Sequence, residues 1–381
     1  MQKKIIYIAG AGLAGCTLAR HLADHGYKVI IYERRSHFAG NCFDERCEHT
    51  GIMLHKYGPH IFHTDNPEVY EFISRFTTLK NYRHTVKTTA AGRVWSLPVN
   101  LHTLNQYWQT SLSPAEARKK LDSEVVTFKH LPSSLEEQAQ RLMGKGLYEL
   151  FIKHYTEKQW GRPSSQIPAH VLSRLPFRFD YSDNYFSQRW QGIPDKGYTE
   201  MVRRIVTHSN ITVKLNTSCP KHLMKSAAST HHLFWTGPLD AFFFYSEGRL
   251  PYRTLEFEEF ISDGDWQGCS VMNYADPDVP WTRITEHKHF MPEEKHVKTV
   301  CFREYSREAS GDDELYYPVH LAAQSCQTDV YVEKAKRLRN VSFLGRLGTF
   351  RYQDMDAVIG DALQMAEAYM SGCPNTLPEG L

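Results

Sequence analysis

Three glycines near the amino terminus, Gly10, Gly12 and Gly15, have the spacing G-x-G-x-x-G. They follow an apolar run ending at Ala9 and open a segment of helical periodicity. Glu33 lies 18 residues past Gly15, at the end of a second apolar run, Lys28 to Tyr32. Glycines so placed let backbone approach a pyrophosphate at a helix amino terminus, and the acid accepts hydrogen bonds from a ribose. Gly10, Gly12, Leu13, Ala14, Gly15, Glu33 and the adjacent Arg34 are therefore candidate dinucleotide ligands. A glycine-rich turn beside a surface Glu is the plainer reading, and the strand-turn-helix-strand context counts against it. His60 and His63 have a spacing that suits a metal pair, but no Asp, Glu or Cys with ligand spacing supports one, so no metal site is expected.

The elements around these residues read as two or three modules, as 381 residues require. Residues 4–9 and 28–32 predict buried strands, and 13–25 a helix stopped by Gly26, giving β-α-β with parallel strands. Asn66-Pro67-Glu68 starts a helix. Residues 85–96 read as a hairpin turning at Ala91-Gly92. Ser113 to Glu116 and Ser134 to Glu137 fit the capping box, so 103–190 should be mainly helical. Segments near 253–262, 269–274 and 299–305 read as antiparallel strands. A strand at 341–345 and a helix at 356–370 close the chain. The expected fold class is α/β: a Rossmann-like nucleotide domain (1–80, 205–245 and 335–371), an inserted helical domain (103–190), and an antiparallel sheet domain (81–102, 191–204 and 246–334).

Composition narrows the function classes. Lys and Arg number 45 against 43 Asp and Glu, with no long basic run, so nucleic acid is not an expected partner. Eight irregularly spaced Cys without a C-x-x-C pair point to reduced thiols and a cytoplasmic protein. No 18-residue apolar stretch occurs, so no membrane span is expected.

An amino-terminal fingerprint followed by Ala39-Gly40-Asn41 favours FAD over NAD as the dinucleotide, with Gly40 and Asn41 added as cofactor contacts. Beyond it, the chain resembles the UDP-galactopyranose mutases along nearly its whole length. The matching stretches include Tyr57 to Thr64, Leu97 to Leu101, Tyr155 to Gly161, Arg174 to Pro176, Asp183 to Phe186, Thr236 to Asp240, Val271 to Tyr274, Thr282 to Lys288, Tyr316 to Pro318 and Gly345 to Tyr352.

The resemblance implies an isomerase that contracts a UDP-hexopyranose to its furanose with no net redox change, for cell-surface polysaccharide biosynthesis. Reduced FAD is the nucleophile there, bonding the anomeric carbon through N5 and passing through an iminium. NADH or NADPH is a candidate external reductant, and a homodimer is expected. Arg174 and Arg283 match diphosphate-binding arginines, with Arg174 on a mobile loop, 167–179, that closes over substrate. Tyr155, Tyr185, Tyr317 and Tyr352 match tyrosines that donate to the diphosphate. Phe151 and Trp160 resemble the uridine site, although Phe151 also suits an ordinary amphipathic helix. Phe151, Tyr155 and Gln159 share an i, i+4, i+8 face. Thr156, Asn273, His84 and Asp354 complete the substrate set. His60, Gly345, Arg346, Tyr352, Asp354 and Met355 join the cofactor set, and His63 is expected to tune N5.

Ala39, His84, Ile152 and Phe350 depart from the family pattern, so the sugar nucleotide is open. UDP-N-acetylgalactosamine and dTDP-fucopyranose are alternatives to UDP-galactopyranose. An FAD-dependent amine oxidase and a non-catalytic flavoprotein are the competing classes; neither needs the Arg and Tyr set.

Overall fold

The computed structural model describes residues 5–174, 177–225, 231–319, 325–374 and 376–377, excluding the side chains of His170, Ser173, Arg174 and Ser325. Ile5–Ala9, Leu13–Asp24 and Lys28–Tyr32 form the expected β-α-β unit. It seeds a five-stranded parallel sheet in the order Ile211–Lys214, Lys28–Tyr32, Ile5–Ala9, His232–Trp235, Val341–Phe343. Strands covered on both faces must be apolar on both; Ile6, Ile8, Ile31, Phe234 and Phe343 are all buried. Helix Leu13–Asp24 sits tight on the turn before it because Gly15 has no side chain: a Cβ there would stand 2.1 Å from the Gly10 carbonyl oxygen. Helix Met355–Met370 packs beside it, bringing the carboxy-terminal segment back to the amino-terminal turn.

A seven-stranded sheet forms the second layer, in the order Tyr317–Pro318, Tyr252–Asp263, Lys298–Glu308, Arg283–Glu286, Val271–Tyr274, Val86–Ala90, Arg93–Leu97. It is antiparallel except where Val271–Tyr274 runs parallel to Val86–Ala90. The hairpin turn falls at Ala91 and Gly92, both left-handed at φ 50° and 69°, as a two-residue turn of matching twist requires.

The segment 191–204 departs from expectation. Trp190–Pro194 pairs with Phe62–Thr64 and Leu79–Lys80 in a small separate sheet, not with the antiparallel strands. Helix Tyr198–Val206 packs on Leu13–Asp24. Its stripe of Tyr198, Met201, Val202 and Ile205 needs an apolar partner and finds it in the main core. The buried Asp44 carboxylate caps this helix, accepting from the Tyr198 and Thr199 amides at 2.6 and 2.9 Å.

Between strands Arg93–Leu97 and Trp190–Pro194 the chain forms a helical insert against the seven-stranded sheet: Leu101–Trp108, Pro114–Glu124, Leu135–Leu147 and His154–Trp160. Helical structure stops at Arg174, and 178–189 is irregular, so the mainly helical reading of 103–190 runs too far. Ser113 and Glu116 make the full capping box. Ser134 makes half of one: its hydroxyl accepts from the Glu137 amide, but the Glu137 carboxylate accepts from the amide of Ser133. Tyr148–Lys153 is a π-helix, a wide turn often found at functional sites. It carries Phe151 and Ile152, both buried.

Several histidines are buried within the fold. Burial lowers the pKa of His287 and of His232 from 6.5 to about 4, and that of His55 well below its ordinary value. The unfolded chain therefore binds more protons than the native one between pH 6.5 and about 4, and stability must fall as pH falls through that window. Melting temperatures measured from pH 7 to 4.5 should decline steadily; a flat profile would show that these rings protonate without cost.

Candidate active site

Two cavities occupy the space between the layers. The smaller, about 420 Å³, lies over the carboxyl ends of the parallel strands, where open α/β sheets bind ligands. Gly10, Gly12, Leu13, Ala14, Glu33, Arg34, Gly40, Asn41, His60, Gly345, Arg346 and Met355 line it. Gly15 does not; it serves the packing of the helix on the turn. Gly10 has φ +107°, and a Cβ there would stand 2.0 Å from the Thr236 hydroxyl oxygen. Gly12 and Gly40 face each other, backbone to backbone. No side chain caps the helix that starts after Gly12, so its first amides have no side-chain partner. Both Glu33 oxygens accept backbone amides, from Ala11 at 2.8 Å and Arg35 at 2.9 Å, which fixes the carboxylate at the rim. A glycine-lined cradle at a helix amino terminus, with an oriented acid beyond it, suits a dinucleotide pyrophosphate and ribose.

Arg34 was the expected basic neighbour, yet its side chain is 55% exposed, whereas that of Arg35 is 13% exposed. Arg35 donates to Asn41 Oδ1 at 2.9 Å and lies over the Tyr57 ring. Ala39 adopts a left-handed conformation at φ 76°, and its amide is held by the Ala11 carbonyl.

The larger cleft, about 920 Å³, opens between the helical insert and the seven-stranded sheet. Phe151, Ile152, Tyr155, Thr156 and Trp160 reach it from the π-helix and the α-helix that follows. Asn273 and Arg283 reach it from paired strands, Tyr317 from the sheet edge, and Tyr352 and Asp354 from the carboxy-terminal segment. Tyr352 and Asp354, assigned also to the cofactor, line this cleft alone. Tyr185 and Phe186 come from an irregular segment pinned at both ends. Asp183 accepts from Asn100 at 2.7 Å and Lys87 at 2.8 Å, and the Tyr185 amide donates to the His84 carbonyl. The side chain of Arg174, and residues 175 and 176, lie outside the described residues.

Among the described residues, Arg283 is one of four arginines that line the cleft, with Arg162, Arg346 and Arg351. Its Nε donates to Glu304 at 3.0 Å, and Glu304 is 1% exposed. Burial alone would lower the Arg283 pKa; the Glu304 carboxylate and the nearby tyrosines together outweigh it and hold the pKa well above its ordinary value. Burial also raises the pKa of Tyr155, Tyr185 and Tyr317, so their hydroxyls stay protonated and able to donate. Glu304 had no motif to mark it in the sequence; its role exists only because strand pairing sets it opposite Arg283.

The histidines separate by position. His60 lines both cavities, while His63 lines the cleft alone, stacked on Phe186 at 3.8 Å. The expectation that His63 tunes the cofactor therefore fits His60 better. His60 Nδ1–H donates to the Gly58 carbonyl at 2.8 Å, leaving Nε2 as an acceptor, and burial lowers its pKa to about 4. His84 is held similarly. Tyr82 donates to Ser270 at 2.6 Å and accepts from His84 Nδ1 at 3.1 Å. Burial, with Arg283 and His63 nearby, lowers the His84 pKa to about 3, so its Nε2 also offers a lone pair. Asn41, His60, Arg346 and Met355 line both cavities, so the two adjoin at these residues.

Fold and site define a Rossmann-fold nucleotide-binding protein with a second, cation-bearing cleft against its cofactor cavity. A family model for an NAD(P)-binding Rossmann-like domain matches residues 8–76, and one for UDP-galactopyranose mutase matches residues 150–352. The chain belongs to the UDP-galactopyranose mutase family. It is 47% identical to a probable UDP-galactopyranose mutase of Klebsiella pneumoniae, over 98% of this chain and 97% of the relative. It is 46% identical to a dTDP-fucopyranose mutase of Escherichia coli, over 96% and 98%. A crystal structure of reduced UDP-galactopyranose mutase shares the fold, with a TM-score of 0.75 at 16% identity over 97% of this chain and 94% of that one. The fold extends to a putrescine oxidase, with a TM-score of 0.59 at 11% identity over 97% and 99% of the two chains.

Gly12 separates folding from cofactor binding. It has φ −78°, and an added Cβ would meet only Gly40 Cα, at 3.9 Å. Gly12→Ala should therefore fold normally while its methyl group holds a pyrophosphate away, weakening dinucleotide binding about tenfold or more. Calorimetric titration of apoprotein with FAD checks this; wild-type affinity would show that close backbone approach is not used.

Proposed function

We propose that the protein binds FAD and, with the flavin reduced, interconverts UDP-galactopyranose and UDP-galactofuranose. The observation that carries the reading is the Arg283 guanidinium, set among protonated tyrosines in a cleft continuous with the glycine-lined cavity. A redox enzyme acting on amines has no use for a diphosphate receptor there. Reduced FAD, when bound, supplies the electron pair that attacks the anomeric carbon, and that pair is returned when the product leaves.

The chain's residues do the rest. Arg283 receives the charge that develops on the diphosphate as the glycosidic bond breaks. Tyr155, Tyr185 and Tyr317 donate to its oxygens, joined by Arg174 if the 167–179 loop closes. Phe151, Ile152 and Trp160 form the apolar end suited to a base. His60, kept neutral, offers its Nε2 lone pair at the seam as a hydrogen-bond acceptor for a cofactor or substrate donor. His84, kept neutral, accepts from a sugar hydroxyl and penalises a sugar lacking it, since the ring would be left buried and unpaired. An external nicotinamide reductant and a cytoplasmic homodimer complete this reading.

The E. coli relative favours a second reading, the same chemistry on dTDP-fucopyranose. Dithionite-reduced protein incubated with UDP-galactopyranose and dTDP-fucopyranose, followed by chromatography, decides between them. A furanose product is expected from one, and none from oxidised protein. No furanose from either would overturn the assignment. Arg283→Ala should lower kcat/KM by about 10²- to 10³-fold with the flavin still bound; a loss under tenfold would remove Arg283 from the diphosphate site.

A further inference from the structure

Lys158 lies on helix His154–Trp160, one turn past Tyr155, but its ammonium points away from the cleft's ligands. Nζ donates to four backbone carbonyls: Tyr274 at 2.7 Å, Val279 at 2.8 Å, Asp276 at 3.0 Å and Trp281 at 3.2 Å. Tyr274 ends strand Val271–Tyr274, and the other three lie in the connection from it to Arg283–Glu286. An ammonium has three N–H donors, so four converging oxygens hold it as carbonyls hold a small cation. The connection closes at Tyr274, whose amide donates to Thr282. The next pair in register is Asn273 with Arg283, both of which line the cleft. Asn273 and Arg283 sit at the loop end of this hairpin, so a shift of the loop reaches these two cleft residues first.

We infer that Lys158 is a positioning residue for the diphosphate site. It ties the helix bearing Tyr155 and Thr156 to the loop that sets Asn273 and Arg283, and so fixes the gap between the two walls of the cleft. A second tether lies at the end of the same helix, where Arg253 Nε and Ser306 Oγ donate to the Gln159 carbonyl at 3.1 and 2.6 Å. That one fixes the helix to strands Tyr252–Asp263 and Lys298–Glu308; the loop is held to the sheet by the Ala275 amide on the Thr89 carbonyl and the Ala91 amide on Asp276 Oδ1, and to the helix by Lys158. Removing the ammonium leaves four carbonyl dipoles facing one another, and the loop must open to water to relieve them. Displacement of about 1 Å is enough to cost a binding site much of its affinity. The inference rests on the nucleotide-sugar reading for its effect on ligand, but not for its effect on the loop.

The test uses flavin-loaded wild type, Lys158→Met and Lys158→Ala. UDP is the probe, and hydrogen exchange at amides 275–281 is the second readout. Lys158→Met should keep the flavin spectrum, exchange faster at 275–281, and bind UDP about tenfold more weakly, with KM raised more than kcat is lowered. Ethylammonium should restore UDP binding to Lys158→Ala, and tetramethylammonium, which has no N–H, should not. Unchanged exchange in the loop, wild-type UDP affinity in Lys158→Met, or equal rescue by both amines would each overturn the tether. Wild-type protein that fails to bind UDP would instead overturn the nucleotide-sugar reading, with loop exchange still deciding the tether.

Discussion

The structure depends on one constraint: two ligands that react must touch, although different parts of the chain bind them. The seam is where that is met. Asn41 follows Ala39-Gly40, His60 lies on the link between two short strands, and Arg346 and Met355 arrive from the carboxy-terminal segment. The three polar ones are fixed by backbone, Asn41 Nδ2 donating to the Leu315 carbonyl at 3.2 Å. Arg346 donates to the carbonyls of Gln353 at 2.6 Å and Tyr316 at 3.3 Å, and His60 to that of Gly58. Rigid placement of polar groups costs nothing at the moment of reaction, which is how a preorganised site lowers a barrier.

Charge is arranged on the same principle. Arg283 and Glu304 form a partly buried pair, and such pairs give little net stability. Their value is geometric: the carboxylate takes Nε and leaves the terminal nitrogens of the guanidinium for phosphate oxygens. Around them stand groups kept neutral by burial, the tyrosines as donors and His60 and His84 as acceptors. Arg283, with Arg346 at the seam, stands among these neutral groups and favours whatever anion enters.

The parts of this arrangement that were legible in the sequence are local. The β-α-β unit, the Asn66-Pro67 helix start, the Ala91-Gly92 turn and the Ser113 cap depend on residues within a few positions of one another. Most of the cleft followed from motifs that keep their order along the chain. What escaped is long-range. Glu304 and Lys158 gain their roles from partners more than twenty and more than a hundred positions away, and no spacing rule connects them. The π-helix at Tyr148–Lys153 has no signature in the spacing, although Phe151, Tyr155 and Gln159 line one cleft as their spacing predicts. Arg35 rather than Arg34 turns inward because Asn41 and Tyr57 are there to receive it. Trp190–Pro194 pairs where the core needs it, against the sheet assignment its sequence position suggested.

The most direct test of the seam is optical. UDP titrated into flavin-loaded protein should perturb the flavin absorbance or fluorescence saturably, and the perturbation should follow UDP occupancy measured independently by calorimetry. UDP that binds with full occupancy and leaves the flavin spectrum untouched would contradict the claim that the cation-bearing cleft opens onto the cofactor.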